Sequence, residues 1–192
     1  MKNFLQKNKT LSIVLLVIVV LVVWVITKYN FFINQNENIT GQWAQVENQL
    51  QRRFDLIPNV VNTVKGITQQ EKDVFSKLAD ARAHYAGANT IDEKATAAGE
   101  VETSLSRLLV VVENYPELKS SQSFRDLTVE LEGTENRIAV ERMKYNDLVK
   151  SLNASVKRFP NSILASIFGV TERSYFEIAE GAEMVPTVDF TE

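Results

Sequence analysis

The sequence predicts an all-α chain, with an N-terminal transmembrane helix followed by a four-helix bundle of long antiparallel helices. Residues 10–27, "TLSIVLLVIVVLVVWVIT", contain no charge. Beyond them, apolar residues recur at intervals of three, four and seven, the spacing that places side chains on one helical face. Seven glycines and four prolines in 192 residues are too few for the many turns of an all-β chain.

At 1.5 Å per residue the apolar run spans about 27 Å, close to the hydrocarbon core of a bilayer once the lysines at either end reach outward. Its fourteen Leu, Ile and Val residues favour insertion by roughly 4–8 kcal/mol. The run is longer than the apolar stretch of a cleaved signal peptide, and "WVITKYN" offers no small-residue pair for cleavage. With no cysteine in the chain, a lipoprotein anchor is excluded. Residues 1–28 therefore read as a short flank and a single-pass anchor, with its span at about 10–27, and residues 29–192 as the helical body.

The first body helix carries Ile39, Trp43, Val46, Leu50, Phe54, Ile57, Val61 and Val64 on one face. That stripe passes Pro58 without losing phase. Proline removes the hydrogen bond to the Phe54 carbonyl and its ring crowds the same turn, so a kink with helix on both sides is expected. A break with Pro58 opening a new helix is the alternative. The second helix carries Val74, Phe75, Leu78, Ala81 and Tyr85 and is expected to stop at Gly87. Thr90 and Glu93 in "TIDE" have the form of a capping box, in which each side chain satisfies an orphan N–H, so the third helix starts there. Its stripe is Val101, Leu105, Leu108 and Val112, and Pro116 ends it. The fourth runs through Phe124, Leu127, Leu131, Ile138, Tyr145, Leu152 and Phe159 until Pro160. A short helix near Ile163 to Phe168 and an extended strap, "MVPTVDF", are expected to follow.

The full chain carries net −3, but Lys2, Lys7, Lys9 and Lys28 all precede Tyr29, and no Asp or Glu does. The body therefore sets 17 Lys and Arg against 24 Asp and Glu, a net −7. Phosphates find no electrostatic foothold there, and nucleic acid is excluded as a partner. Zero cysteines and one histidine, His84, rule out disulfides, thiolate metal sites, His-based metal sites and a Ser/His triad. "VKGIT" has the wrong spacing for a phosphate loop, and no cofactor is expected. His84, beside Tyr85 at a helix end, reads as a solvated residue. The N-x-S/T matches at Asn38 and Asn153 fall in predicted helices.

With these elements in place, the chain resembles the LemA family. The residues that carry the resemblance are Tyr29–Asn30 just past the span, Trp43, "QLQRRFDLIPNVVNTVKG", "ENYPELKS", "FRDLTVELEGTENRIAVERMKYN" and "VPTVDF", spread over nearly the whole chain. The resemblance implies a membrane-anchored helical bundle of bacterial type with no established enzymatic activity. The sequence departs from the family pattern at Gln70, where many relatives have histidine, and at Glu141, where relatives have a small residue. It also departs in the stretch from Phe31 to Gln42, which lacks the usual arginines.

Some charges fall beside the apolar faces rather than opposite them. Arg53 flanks Leu50, Phe54 and Ile57; Glu71 lies between Ile67 and Val74; Glu135 and Arg142 lie beside Ile138 and Tyr145. Unpaired, each is costly to bury, whereas paired they can fix helix register, so Arg53, Glu71, Glu135 and Arg142 form a candidate buried polar network. Arg52 and Asp55, three apart on the outer face, are expected to form a weak surface pair. No catalytic or metal-ligating residue is assigned.

Two functional classes remain. One is a membrane-tethered interaction or scaffold module at the cell envelope that holds a protein partner. The other is a hydrolase of unfamiliar type using Glu71 or Glu135 in a bundle pocket. Lys2, Lys7 and Lys9 precede the span, while Lys28 alone follows it before Arg52. This bias favours a cytoplasmic N-terminus in the cell (inner) membrane with the bundle outside, a cytoplasmic body being the alternative.

Overall fold

The computed structural model describes residues 9–64 and 72–177. Among these residues every regular element is an α-helix: α1 (Lys9–Thr63), α2 (Lys72–Gly87), α3 (Ile91–Glu113), α4 (Pro116–Lys119), α5 (Gln122–Lys157) and α6 (Asn161–Phe168). The all-α expectation holds, with two differences in how the elements are divided. The apolar run and the first body helix are one continuous 55-residue helix, because the linking residues "KYNFFINQNENIT" contain neither glycine nor proline. Pro116, expected only as a stop, also begins the short α4 at its first position, where proline's missing N–H costs no hydrogen bond.

Pro58 lies inside α1, and the chain stays helical beyond it, with the Val64 N–H still bonding to Val60 O at 3.1 Å. Helix α3 opens with the expected capping box. The Thr90 hydroxyl accepts from the Glu93 N–H at 3.2 Å, while the Glu93 carboxylate accepts from the N–H of Thr90 at 3.0 Å and of Asn89 at 2.8 Å. Gly169 closes α6 in the left-handed conformation, φ 68°, which glycine adopts without a Cβ penalty.

The described residues form two compact units, each built from parts of α1 and α5. One unit joins the residues up to Gly41 with Asp147–Arg173. Its buried side chains include Phe32 and Ile39 of α1, Val149 and Leu152 of α5, and Leu164 and Ala165 of α6. Phe168 meets Tyr29 edge-on at 5.2 Å between ring centres and Phe32 at 6.5 Å. Lys157 pairs with Glu172 at 2.7 Å. Phe159 departs from the sequence expectation: α5 ends at Lys157, so Phe159 falls outside the helical phase and is 81 % exposed.

The second unit joins Gln42–Asn146 with the residues from Ser174 onward. Its core takes Val46, Leu50, Phe54, Ile57, Val60 and Val64 from α1, Leu78 and Ala81 from α2, Val101, Leu105, Leu108 and Val112 from α3, and Phe124, Leu131, Ile138 and Tyr145 from α5. Val60 takes the buried place expected for Val61. Steps of three and then four from Ile57 reach Val60 and Val64, which keeps both on the face that Leu50 and Phe54 occupy. Helices α2 and α3 pack together, and Phe54 of α1 lies against Tyr85 of α2 with ring centres 4.2 Å apart. Phe176, in the non-helical segment after α6, is buried and lies 5.5 Å from Trp43. The strap sequence "MVPTVDF" lies outside the described residues.

Candidate functional site

The charges singled out from the sequence converge, in part, on one side of α1 in the second unit. Arg53 is one turn past Gln49 and one residue before Phe54, at the margin of the apolar stripe, so the helical repeat carries it inward to 9 % exposure. Its Nη1 donates to Glu135 Oε2 of α5. That pair joins the second half of α1 to α5, with the Glu135 side chain 33 % exposed. Arg53 Nε and the nearby Gln49 Oε1 are buried without a hydrogen-bond partner.

A residue not singled out in the sequence completes this cluster. Glu102 follows the buried Val101 on α3, and its carboxyl is pushed above the usual value, first by burial and then by the Glu135 carboxylate; Arg53 and Arg142 act against that rise. Glu102 obeys the same rule that marked the others, a charge at the edge of an apolar stripe, so the sequence contained the signal. Arg142 is half-buried on α5, within electrostatic reach of Glu102. Glu71 lies outside the described residues. The structure thus joins Arg53 to Glu135 by a hydrogen bond and places Glu102 within the field of Arg53, Glu135 and Arg142.

Arg53, Glu102 and Glu135 border a groove of about 340 Å³ together with Leu105, Leu131 and the exposed Asn136. The exposed hydroxyl residue Ser106 also lines it, without a hydrogen bond to these charged groups. Among the described residues, no group of three or more His, Asp or Glu could hold a metal ion.

The other charged pairs lie outside this groove. Arg52 donates to Glu130 of α5 at 3.3 Å, not to Asp55, which instead accepts from Gln51 at 2.9 Å. The neighbouring helix offers Arg52 a carboxylate that a same-helix pairing would forgo. His84 Nδ1 lies 2.9 Å from Glu100, and both side chains are well exposed, in keeping with a solvated residue. Lys94 of α3 pairs with Glu47 of α1. Beside that pair, burial and the Glu47 carboxylate push the Tyr85 hydroxyl up to about 12. Glu141, the departure noted in the sequence, accepts from Lys144 at 2.8 Å and from Gln42 Nε2 at 2.6 Å, and those bonds hold its carboxyl below the usual range.

A helical chain whose first helix is long and apolar enough to cross a membrane, and whose buried Arg53 pairs with Glu135 on another helix, defines a class of all-α proteins with one candidate membrane span among the described residues. The LemA family model matches residues 42–190, and the chain belongs to the LemA family. It is also similar to magnetosome proteins MamQ 2 and MamQ 1 of Paramagnetospirillum magneticum, each 26 % identical over 186 residues, or 83 % of this chain and 68 % of theirs. The magnetosome protein MamQ of Magnetospirillum gryphiswaldense is 26 % identical over 192 residues, covering 86 % of this chain and 71 % of its own.

Proposed function

We propose that the chain is a single-pass membrane protein of the cell envelope whose body, residues 29–192, is a four-helix interaction or scaffold module without catalytic activity. The observation that carries this reading is the state of α1's apolar run. From Leu11 to Val23 the large apolar side chains are 50–65 % exposed, an arrangement that water penalises and hydrocarbon favours. On this reading residues 1–28 are the anchor and its flank, the N-terminus is cytoplasmic and the body extracytoplasmic. The groove beside Arg53 and Glu135 is the surface offered to a protein partner. The relatives are named for the magnetosome and not for a reaction, which agrees with a role in holding components together.

A photo-crosslinking residue placed at Ser106 or Asn136, both exposed at the groove, tests this in native membranes. The reading expects one adduct of defined mass from the groove positions and none from a reference position at Glu113. Equal labelling at all three would contradict it.

The rise of the Glu102 carboxyl beside Glu135 favours a second reading, a hydrolase using the two carboxyls as acid and base. Turnover of a defined substrate, abolished by Glu102→Gln or Glu135→Gln with folding intact, would establish that reading instead.

A further inference from the structure

We propose that α6 is a membrane-interface helix, with the face formed by Ile163 and Ile167, and the exposed Phe159 just before it, seated at the headgroup–acyl boundary of the bilayer that α1 crosses. This inference rests on the reading of α1 as a membrane span.

Phe159, Ile163 and Ile167 are 81 %, 54 % and 69 % exposed. Ile163 and Ile167 are four residues apart and stand one above the other on α6, and the exposed Phe159 lies in the turn just before the helix begins. The opposite side of α6 is packed: Leu164 and Ala165 are buried, and Phe168 meets the rings of Tyr29 and Phe32. A short helix in water does not gain by leaving two isoleucines outward in one row. A helix with one packed face and one apolar face toward lipid does gain, through the apolar area it removes from water.

Position along α1 selects lipid as the occupant. The uncharged run ends at Thr27. Tyr29 and Phe32 lie roughly 3 Å and 8 Å beyond it along the helix axis, a depth that matches the polar layer outside the hydrocarbon core. Phe168 touches both rings, so the end of α6 lies at that level. Tyr29 and Ile33 are themselves 47 % and 44 % exposed, which makes the apolar surface of α1 continuous in depth with that of α6. Aromatic residues are favoured at this level. Lys28, one residue past the uncharged run, and Arg158, beside Phe159 in sequence, supply cationic groups of the kind that favour contact with phospholipid headgroups, whereas Lys157 is paired with Glu172.

The chain contains no cysteine, so single cysteines at Ile163, Ile167, Val19 and Val129 can each carry an environment-sensitive fluorophore at a unique position. All four positions are exposed, and substitution there removes little packing. The full chain is reconstituted into vesicles of phosphatidylcholine and phosphatidylglycerol containing lipids with a nitroxide either near the headgroup or near the acyl-chain end. The expected result is a blue shift at Ile163→Cys and Ile167→Cys with stronger quenching by the shallow nitroxide, strongest quenching by the deep nitroxide at Val19→Cys, and no quenching at Val129→Cys. Deep quenching at Val19→Cys with unquenched, water-like emission at the α6 positions would overturn the interface helix and leave the anchor intact. A blue shift at those positions without nitroxide quenching would show protein covering the face and would also overturn it. Loss of deep quenching at Val19→Cys would overturn the anchor and the inference together.

Discussion

Asn153 and Arg173 clasp each other through two hydrogen bonds: Asn153 Nδ2 donates to the Arg173 carbonyl at 2.9 Å, and the Arg173 N–H donates to Asn153 Oδ1 at 2.9 Å. The asparagine side chain thereby satisfies both backbone groups of a residue outside any helix, as a neighbouring strand would. The Arg173 guanidinium continues the link to Asn36 Oδ1 at 3.2–3.3 Å. In the second unit Asn146 holds Phe176 in the same reciprocal way, at 3.1 and 2.9 Å.

Asn153 is 6 % exposed while Arg173 is exposed, so Asn153→Ala removes two part-buried hydrogen bonds whose backbone groups water can reach, and is expected to cost about 1–2 kcal/mol. Urea unfolding of the full chain in detergent, followed by circular dichroism, measures this. Asn153→Asp keeps the acceptor but removes the donor to the Arg173 carbonyl, and is expected to recover part of the loss.

Glu135→Ala strands the buried Arg53 guanidinium. The expected cost is about 2–3 kcal/mol, below the 3–5 kcal/mol of a fully buried pair because the Glu135 side chain is partly screened by solvent. The double variant Arg53→Met with Glu135→Leu removes both charges and is expected to lie within about 1 kcal/mol of the parent. Additive losses in this double-mutant cycle would contradict the pairing.

Glu102 gives a pH dependence of defined sign. Its carboxyl titrates above the ordinary value of 4.5 in the folded chain, so the native state holds the proton more tightly than the unfolded state. Its penalty is absent at low pH, grows as pH rises above 4.5, and is complete once pH exceeds the folded value. Glu102→Gln removes the penalty. The variant should match the parent at acidic pH and melt at a higher temperature at neutral pH. A lower melting temperature at neutral pH would show that Glu102 is stabilised by Arg53 and Arg142 more than burial opposes it.

Much of the helical layout was legible because periodicity reports local geometry. The capping box at Thr90 and Glu93, the stripe from Val101 to Val112, and the placement of Arg53 at a core edge follow from spacing alone. Contacts distant in sequence were not legible. Nothing in the local pattern marks Asn153 as a partner for Arg173, twenty residues away. Phe176 is a single aromatic residue in a non-helical stretch, so no repeat identifies it as buried. Arg52 was assigned to Asp55 because same-helix spacing is visible in a sequence, whereas the carboxylate of Glu130 becomes a neighbour only after α5 has packed.

The proposed orientation predicts opposite signals from two reporters fused after Glu192. An enzyme active only after export should function there, and a fluorescent protein that matures only in the cytoplasm should stay dark. Fluorescence without activity of the exported reporter would place the body in the cytoplasm, while the single-span anchor would survive.

The anchor itself is tested most directly by alkaline carbonate extraction of membranes carrying the full chain. An apolar run that crosses the bilayer is held by burial and not by charge, so the chain should stay in the membrane pellet after carbonate treatment and leave it only with detergent. Release of the full chain into the carbonate supernatant would contradict a transmembrane α1.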